Sequence, residues 1–178
     1  MLHQLVCHSD TPAKFIDKVV VQLDTTGAPG AWRFEYHVTP SDQLLLPAMA
    51  RPERTDGLWK STCFELFAKP VGGDAYFEFN FSPSFQWAAY AFDGYRSGIR
   101  ELAAEDPEIA VTPKPPHFFL AVEAMPLLPR VAMQIGLSAV IEEVDGTKSY
   151  WALGHPPGQP DFHHPDCFAL DLPAPYAT

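Results

Sequence analysis

Apolar and polar residues alternate along several stretches of the chain, as they do in β-strands that bury one face. Residues 32–38 carry Trp, Phe, Tyr and Val at every second position, and Phe77, Phe79 and Phe81 form a similar series. Residues 131–141 keep the same period over a longer run. Each of these segments is therefore predicted to be a strand with one apolar face.

Turn-forming residues between these runs predict how the strands are connected. The tetrapeptide Ser-Pro-Ser-Phe at residues 82–85 has the length of a hairpin loop, and its proline removes a ladder donor. The pair Asp145-Gly146 favours a second tight turn. Residues 97–105 show a short helical pattern. Further short strands are predicted at residues 19–23, 62–68, 109–112, 117–123 and 167–172.

These segments predict an all-β fold. About ten strands without regular helices must bury their apolar faces against one another. The expected architecture is a two-sheet antiparallel β-sandwich, of the jelly-roll or immunoglobulin-like type, with at most one short helix. The 178 residues fit a single domain spanning 1–178, and neither a repeat nor a linker divides them. In such folds, ligand contacts usually come from one sheet face or from the loops.

Composition and charge exclude several classes of partner. The chain is 47% hydrophobic, which is too apolar for disorder, and its 19 prolines fit many turns. Its formal net charge is −10 and its 12 basic residues are scattered, so no nucleic-acid partner is expected. No apolar stretch approaches the roughly 20 residues that span a bilayer, and the negative charge opposes binding to anionic lipids. No membrane association is expected.

The N-terminal segment and the cysteines favour a reducing compartment. Residues 1–10 lack the basic and apolar regions of a secretory signal. Cys7, Cys63 and Cys167 are odd in number and far apart, which fits reduced thiols better than a disulfide framework. We therefore expect a cytoplasmic protein.

Three segments together resemble a known family. They are residues 58–67 (LWKSTCFELF), residues 76–84 (YFEFNFSPS) and residues 149–153 (SYWAL). In this order they resemble the family 9 carbohydrate-binding modules and the related DOMON-like domains. The resemblance extends over roughly residues 19–172 and implies a β-sandwich fold.

The resemblance also implies a sugar site in which two tryptophans from facing loops grip a ring. By position these are Trp59 and Trp151, with Arg96 or Arg100 as a hydrogen-bonding neighbour. An indole face suits the C–H-rich face of a pyranose, and an arginine supplies donors for its hydroxyls. Either tryptophan could instead belong to the core, to which we assign Trp32 and Trp87, and the polar turn at 93–98 could be a solvated loop.

Glu65, Glu78 and Asn80 would share one sheet face if their strands are neighbours. Glu78 and Asn80 are therefore included among the predicted ligand-binding residues. The two carboxyls could alternatively make a glycoside hydrolase, retaining at a separation of about 5 Å and inverting at a greater one. No nucleophile elbow, phosphate loop or nucleotide fingerprint is present. The predicted function is non-catalytic binding of a small sugar or glycan; the alternatives are this hydrolase and a cytoplasmic interaction domain.

The sequence contains candidate ligands for two kinds of cofactor. Residues 155–167 concentrate His, Asp and Cys, but their spacing matches no standard zinc pattern, so no metal is predicted. Haem would need axial ligands, for which Met49 with His155 is the one pair available, and no Cys-x-x-Cys-His is present. No cofactor is therefore predicted.

Overall fold

The computed structural model describes residues 1–25, 31–126 and 128–174. Its strands are β1 (Leu2–Gln4), β2 (Val6–Cys7), β3 (Lys18–Asp24), β4 (Trp32–Thr39), β5 (Cys63–Pro70), β6 (Tyr76–Phe81), β7 (Trp87–Phe92), β8 (Arg100–Glu101), β9 (Glu108–Lys114), β10 (His117–Ala124), β11 (Met133–Glu142), β12 (Lys148–Ala152) and β13 (Leu170–Leu172). Short 3₁₀ turns span Leu58–Lys60 and Pro165–Cys167. Among these residues, no helix is long and apolar enough to cross a membrane.

The strands form two antiparallel sheets, which confirms the predicted β-sandwich class. The first sheet has the order β1-β3-β4-β10-β9. The second has the order β2-β12-β11-β5-β6-β7-β8, and β13 also pairs with β11. Both predicted hairpins are present, because β6 pairs with β7 and β11 with β12.

The main core lies between the two sheets and follows the period of two. Phe34 and Tyr36 of β4 face Phe64 of β5 and Phe81 of β6 from the opposite sheet. Trp87 is buried in this core, as predicted, and Trp32 packs against it while partly buried. Removal of this aromatic surface from water is the main contribution to stability expected of such a fold.

The second sheet is also covered on its outer face, which simple alternation does not predict. Every residue of β7 is buried, and only the last two residues of β5 are partly exposed. A second apolar cluster lies on this outer face and includes Phe67, Tyr76 and Phe92 from the strands. Phe162 and Phe168, from the long segment that follows β12, complete the cluster. This covered face positions the site described below.

Two local predictions were wrong. The segment 97–105 is not a helix: Arg100–Glu101 forms the edge strand β8 beside β7, and the Leu102 amide donates to the Ala89 carbonyl at 3.0 Å. Pairing with β7 satisfies backbone groups that a helix of this length would leave unpaired at its ends. The strand predicted at 167–172 is shorter, because Cys167 ends a 3₁₀ turn and only Leu170–Leu172 pairs with β11.

Candidate ligand-binding site

A cavity of about 370 Å³ opens on the outer face of the second sheet. Its volume falls at the small end of the range of about 300–1,000 Å³ that is usual for small-molecule sites. Aromatic side chains form most of its wall, and a few polar groups converge on its floor. The aromatic residues are Trp59, Tyr90, Phe92, Tyr150 and Phe162; the polar ones are Glu65, Glu78, Arg96 and His163.

The floor is built by strand register. Glu65 of β5 lies opposite Ser138 of β11 on one side and opposite Asn80 of β6 on the other. Glu78 lies two residues before Asn80 on β6, so its side chain points to the same face. The prediction that Glu65, Glu78 and Asn80 share one sheet face is confirmed by this register.

Trp59 is the most solvent-exposed of the aromatic residues in the wall. Gly57, at φ +76°, begins the 3₁₀ turn Leu58–Lys60 that carries the indole, and a glycine adopts this left-handed backbone without strain. Trp59 is 42% exposed and meets the Tyr90 ring edge-to-face at 6.3 Å. The Tyr90 hydroxyl donates to Asp56 Oδ1 at 2.6 Å, which fixes the ring beneath the indole.

Arg96 reaches the cavity from the loop after β7 and is held by Asp161. Its Nη2 and Nε atoms lie 2.6 Å and 3.2 Å from Asp161 Oδ1. The Tyr95 hydroxyl donates to the other oxygen of the same carboxylate. Although burial alone would raise the pKa of Asp161, the Tyr95 and Arg96 hydrogen bonds lower it overall. The guanidinium charge is therefore already paired within the protein.

Glu65 and Glu78 form a buried carboxyl pair. Their exposed fractions are 3% and 6%. Burial, then the charge of Glu78, raises the pKa of Glu65 well above its usual range. Burial also raises the pKa of Glu78, against the opposing effects of Asn80 and Arg96. Burial therefore disfavours the charged form of both carboxyls, and that of Glu65 more strongly.

Each carboxyl has a different set of partners. Asn80 donates its amide to Glu78 Oε1 at 2.7 Å. Ser138 donates to Glu65 Oε2 at 3.3 Å, a longer contact. Among the described residues, Glu65 Oε1 has no hydrogen-bond partner, and the side chain faces the cavity. One floor oxygen is thus available to a ligand.

His163 borders the floor next to Glu78. Its Nδ1 lies 2.7 Å from the Tyr76 hydroxyl, and its Nε2 lies 3.8 Å from Glu78 Oε2. The Tyr76 oxygen accepts from the Arg96 amide at 3.2 Å, which leaves its own proton for His163 Nδ1. Burial lowers the pKa of His163 to about 4, so the ring is neutral at pH 7 and presents Nε2–H to the carboxyl.

The buried neutral state of His163 predicts a pH-dependent stability. The unfolded histidine takes up a proton near pH 6.5, but the folded one does so only near pH 4, so acidification favours the unfolded state. At about 1.4 kcal/mol per pKa unit, the loss over this interval approaches about 3 kcal/mol. We expect His163→Gln to remove this slope, as measured by urea unfolding between pH 4 and 6.5. Parallel curves for the two proteins would contradict this assignment.

The structure brings together three of the six residues predicted to bind the ligand. Trp59, Arg96 and Glu78 line the cavity. Asn80 is fully buried and supports Glu78 from the side. Arg100 lies outside the cavity wall on the edge strand β8, where it pairs with Asp93.

Trp151 is not placed opposite Trp59. Its exposed fraction is 4%, it belongs to the core between the sheets, and its Nε1 donates to Ser149 Oγ at 2.9 Å. On β12 the adjacent residue Tyr150 points to the outer face and lines the cavity. The period of two places successive side chains on opposite faces, so only one of these neighbours can reach the ligand site.

Several cavity residues were missed by the sequence reasoning. Tyr90 and Phe92 lie on the phase of β7 that faces away from the main core, and nothing local marked that phase as a ligand surface. Phe162 and His163 belong to the proline-rich segment that was considered only for metal binding. This segment folds back over the second sheet, which is distant from it in the sequence. No local sequence pattern could therefore reveal that it lines the cavity.

The described residues contain no group of three or more His, Cys, Asp or Glu side chains that could hold a metal ion. Within residues 155–167, His164 accepts from the Asp166 amide at 3.2 Å and so caps a 3₁₀ turn. The two residues considered for haem do not share a pocket. Met49 is 79% exposed, while His155 bonds the Val6 carbonyl and packs on His8.

The chain is similar in fold to a solved structure. This is a putative carbohydrate-binding protein from Bacteroides uniformis, with a TM-score of 0.64 and 16% sequence identity. The alignment covers 95% of this chain and 84% of that protein. No family model matches the chain, and no curated protein matches it. At this identity the similarity shows a shared fold.

Proposed function

We propose that this protein binds a small sugar or a glycan end, without cleaving it, in the cavity on the outer face of its second sheet. The observation that carries the proposal is the combination, in one cavity of about 370 Å³, of the half-exposed Trp59 indole with hydrogen-bonding groups on the floor. A pyranose offers a C–H face to such an indole and hydroxyls to such a floor.

The comparison with known structures supports a sugar ligand. The structural neighbour named above is described as carbohydrate-binding, and it is similar over nearly the whole chain. The resemblance to the family 9 carbohydrate-binding modules points in the same direction and remains a prediction. Trp59 shares the cavity wall with Tyr90, Tyr150 and Phe162, whereas Trp151 lies in the core between the sheets.

The placement of Glu65 and Glu78 favours holding a sugar over hydrolysing it. In glycosidases the two carboxyls flank the scissile bond. Here both project from one face of adjacent strands and make the floor of the cavity. A bound ring would therefore meet both groups on the same side. Hydrogen bonding to ligand hydroxyls suits this arrangement better than acid–base attack from two sides.

Trp59→Ala tests the proposal directly. We expect at least a roughly tenfold loss of affinity, about 1.4 kcal/mol, for whichever mono- or disaccharide the unmodified protein binds in calorimetric titration. The ring is at the surface, so unfolding free energy should change by no more than about 1 kcal/mol. Unchanged affinity would exclude Trp59 from the site, and no heat from any sugar in the panel would overturn the proposed function.

Tryptophan fluorescence offers a matched control. Sugar binding should change the emission of the unmodified protein, because stacking alters the surroundings of an exposed indole. Trp59→Phe should abolish that change. Trp32→Phe, which removes a tryptophan of β4 in the opposite sheet, should preserve it. The reverse result would place the ligand on the first sheet.

A further inference from the structure

The cavity lining has more acidic than basic side chains, and this difference favours some sugars over others. Among the described residues that line it, Arg96 has the one cationic side chain, and Asp161 already pairs with that guanidinium through two hydrogen bonds. Among the described residues, no lysine or arginine forms an ion pair with Glu65 or Glu78, and the Arg96 charge acts on Glu78 only at longer range. His163, beside them, is neutral at pH 7. An anionic ligand, such as a sugar acid or a sugar phosphate, would meet repulsion here.

Glu65 is the group that is least satisfied by the protein itself. It is 97% removed from solvent, since its exposed fraction is 3%. Within the described part of the chain, its side chain accepts one hydrogen bond, the 3.3 Å contact from Ser138 to Oε2, and it lines the cavity. A buried carboxyl is costly unless donors or a counter-charge compensate its desolvation. A ligand that carries an ammonium group would provide both.

The aromatic wall is compatible with a cation as well as with a sugar ring. Trp59, Tyr90 and Tyr150 present their rings to the same space as the carboxyls. The faces of such rings attract a cation that has been removed from water, with tryptophan giving the strongest interaction. The same rings can stack on the apolar face of a pyranose. The wall and the floor thus favour a ligand that combines both features.

We propose that the cavity is selective for a sugar with a protonated amine, a 2-amino-2-deoxyhexose or a glycan that ends in one, with the ammonium directed at Glu65 and Glu78. This inference rests on the proposed function and narrows its ligand class. Binding of such a sugar is also expected to change the protonation of the floor carboxyls. An ammonium beside the pair lowers the pKa of Glu65 from its raised position, so binding favours release of a proton from this carboxyl.

Matched sugar pairs test this inference. We would titrate the protein at pH 6 with glucosamine against glucose, galactosamine against galactose, and glucuronate, by calorimetry. At least one amine is expected to bind about tenfold or more tightly than its parent sugar, and glucuronate should give no heat of binding. A parent sugar that binds as tightly as its amine would overturn this inference and leave the proposed function intact. Silence from every sugar would overturn both.

Variants of the floor separate selectivity from folding. Glu65→Gln keeps the size of the side chain but cannot ionise, so it cannot pair with the ammonium and the preference for the amine over its parent sugar should fall. Glu78→Gln serves the same purpose if Glu65→Gln does not fold. Glu123→Gln, at an exposed position on β10, is the control and should retain the preference. Preserved selectivity in the folded floor variants would overturn the inference.

The released proton gives an independent readout. Titration of the amine in two buffers of different ionisation enthalpy should show heats that differ in the direction of proton release. The difference should vanish for Glu65→Gln and should be absent for a neutral sugar. Equal heats in both buffers for the amine and the unmodified protein would contradict a charge-paired ammonium on this floor.

Discussion

Replacing Trp151 with alanine is expected to lower the free energy of unfolding by about 3–5 kcal/mol, as for other large aromatic deletions in a core. Trp151 is 4% exposed and packs between the sheets, where its indole nitrogen donates to Ser149. Its removal leaves a cavity and an unpaired hydroxyl. Urea unfolding monitored by far-ultraviolet circular dichroism would measure the loss. Any fall in sugar affinity should follow from the loss of folded protein.

Trp59→Ala is the matched comparison for this prediction, since both residues were candidates for the same role. The two substitutions remove the same side chain, one from the core and one from the cavity wall. Trp151→Ala should therefore lower stability and leave the affinity of the folded protein unchanged, whereas Trp59→Ala should lower affinity and change stability little. Trp151→Phe should recover much of the lost stability, because it refills most of the space. A stable Trp151→Ala variant that fails to bind sugar would restore the two-tryptophan clamp.

The fold was largely predictable from the period of two. Phe34 and Tyr36 on β4, and Phe79 and Phe81 on β6, belong to one phase, and that phase forms the main core. Segment 97–105 was predicted wrongly because two residues of an edge strand leave almost no periodic signal. Pairing of Arg100–Glu101 with β7 depends on a partner in the folded sheet, which local sequence does not specify.

The candidate site was predictable only where its residues carry local signals. Trp59 lies two residues after a glycine in a polar loop, and Glu78 interrupts a phenylalanine-rich strand, so both are conspicuous in the sequence. Trp151 was misplaced because its neighbour Tyr150 has the outward phase on β12. The sequence Ser-Tyr-Trp-Ala-Leu does not by itself specify which of its alternate side chains face the core between the two sheets. That choice is made by the pairing with β11.

The covered outer face explains why the alternation of apolar and polar residues did not by itself predict the cavity. In an open sandwich the phase of β6 that carries Tyr76, Glu78 and Asn80 would be solvated. Here the segment after β12 folds back over it, and Phe162 and Phe168 pack on that phase. The carboxyls of Glu65 and Glu78 are buried by this return, which gives them their raised pKa and their place in a cavity. The site thus depends on a contact between distant parts of the chain.

Glu143→Ala is expected to lower the free energy of unfolding by about 3–5 kcal/mol, since each buried donor left unpaired costs about 1–3 kcal/mol. Glu143 follows β11, is fully buried, and accepts hydrogen bonds from the backbone amides of Lys14, Phe15 and Ile16 at 2.9–3.3 Å. Those amides lie in the loop from β2 to β3, which passes from one sheet to the other, so the carboxylate ties the crossover to the β11–β12 hairpin.

Glu142→Ala is the control and should cost no more than about 1 kcal/mol, because that side chain makes a 3.7 Å ion pair with Lys148 near the surface. Equal losses in chemical unfolding would show that the crossover holds without its carboxylate anchor.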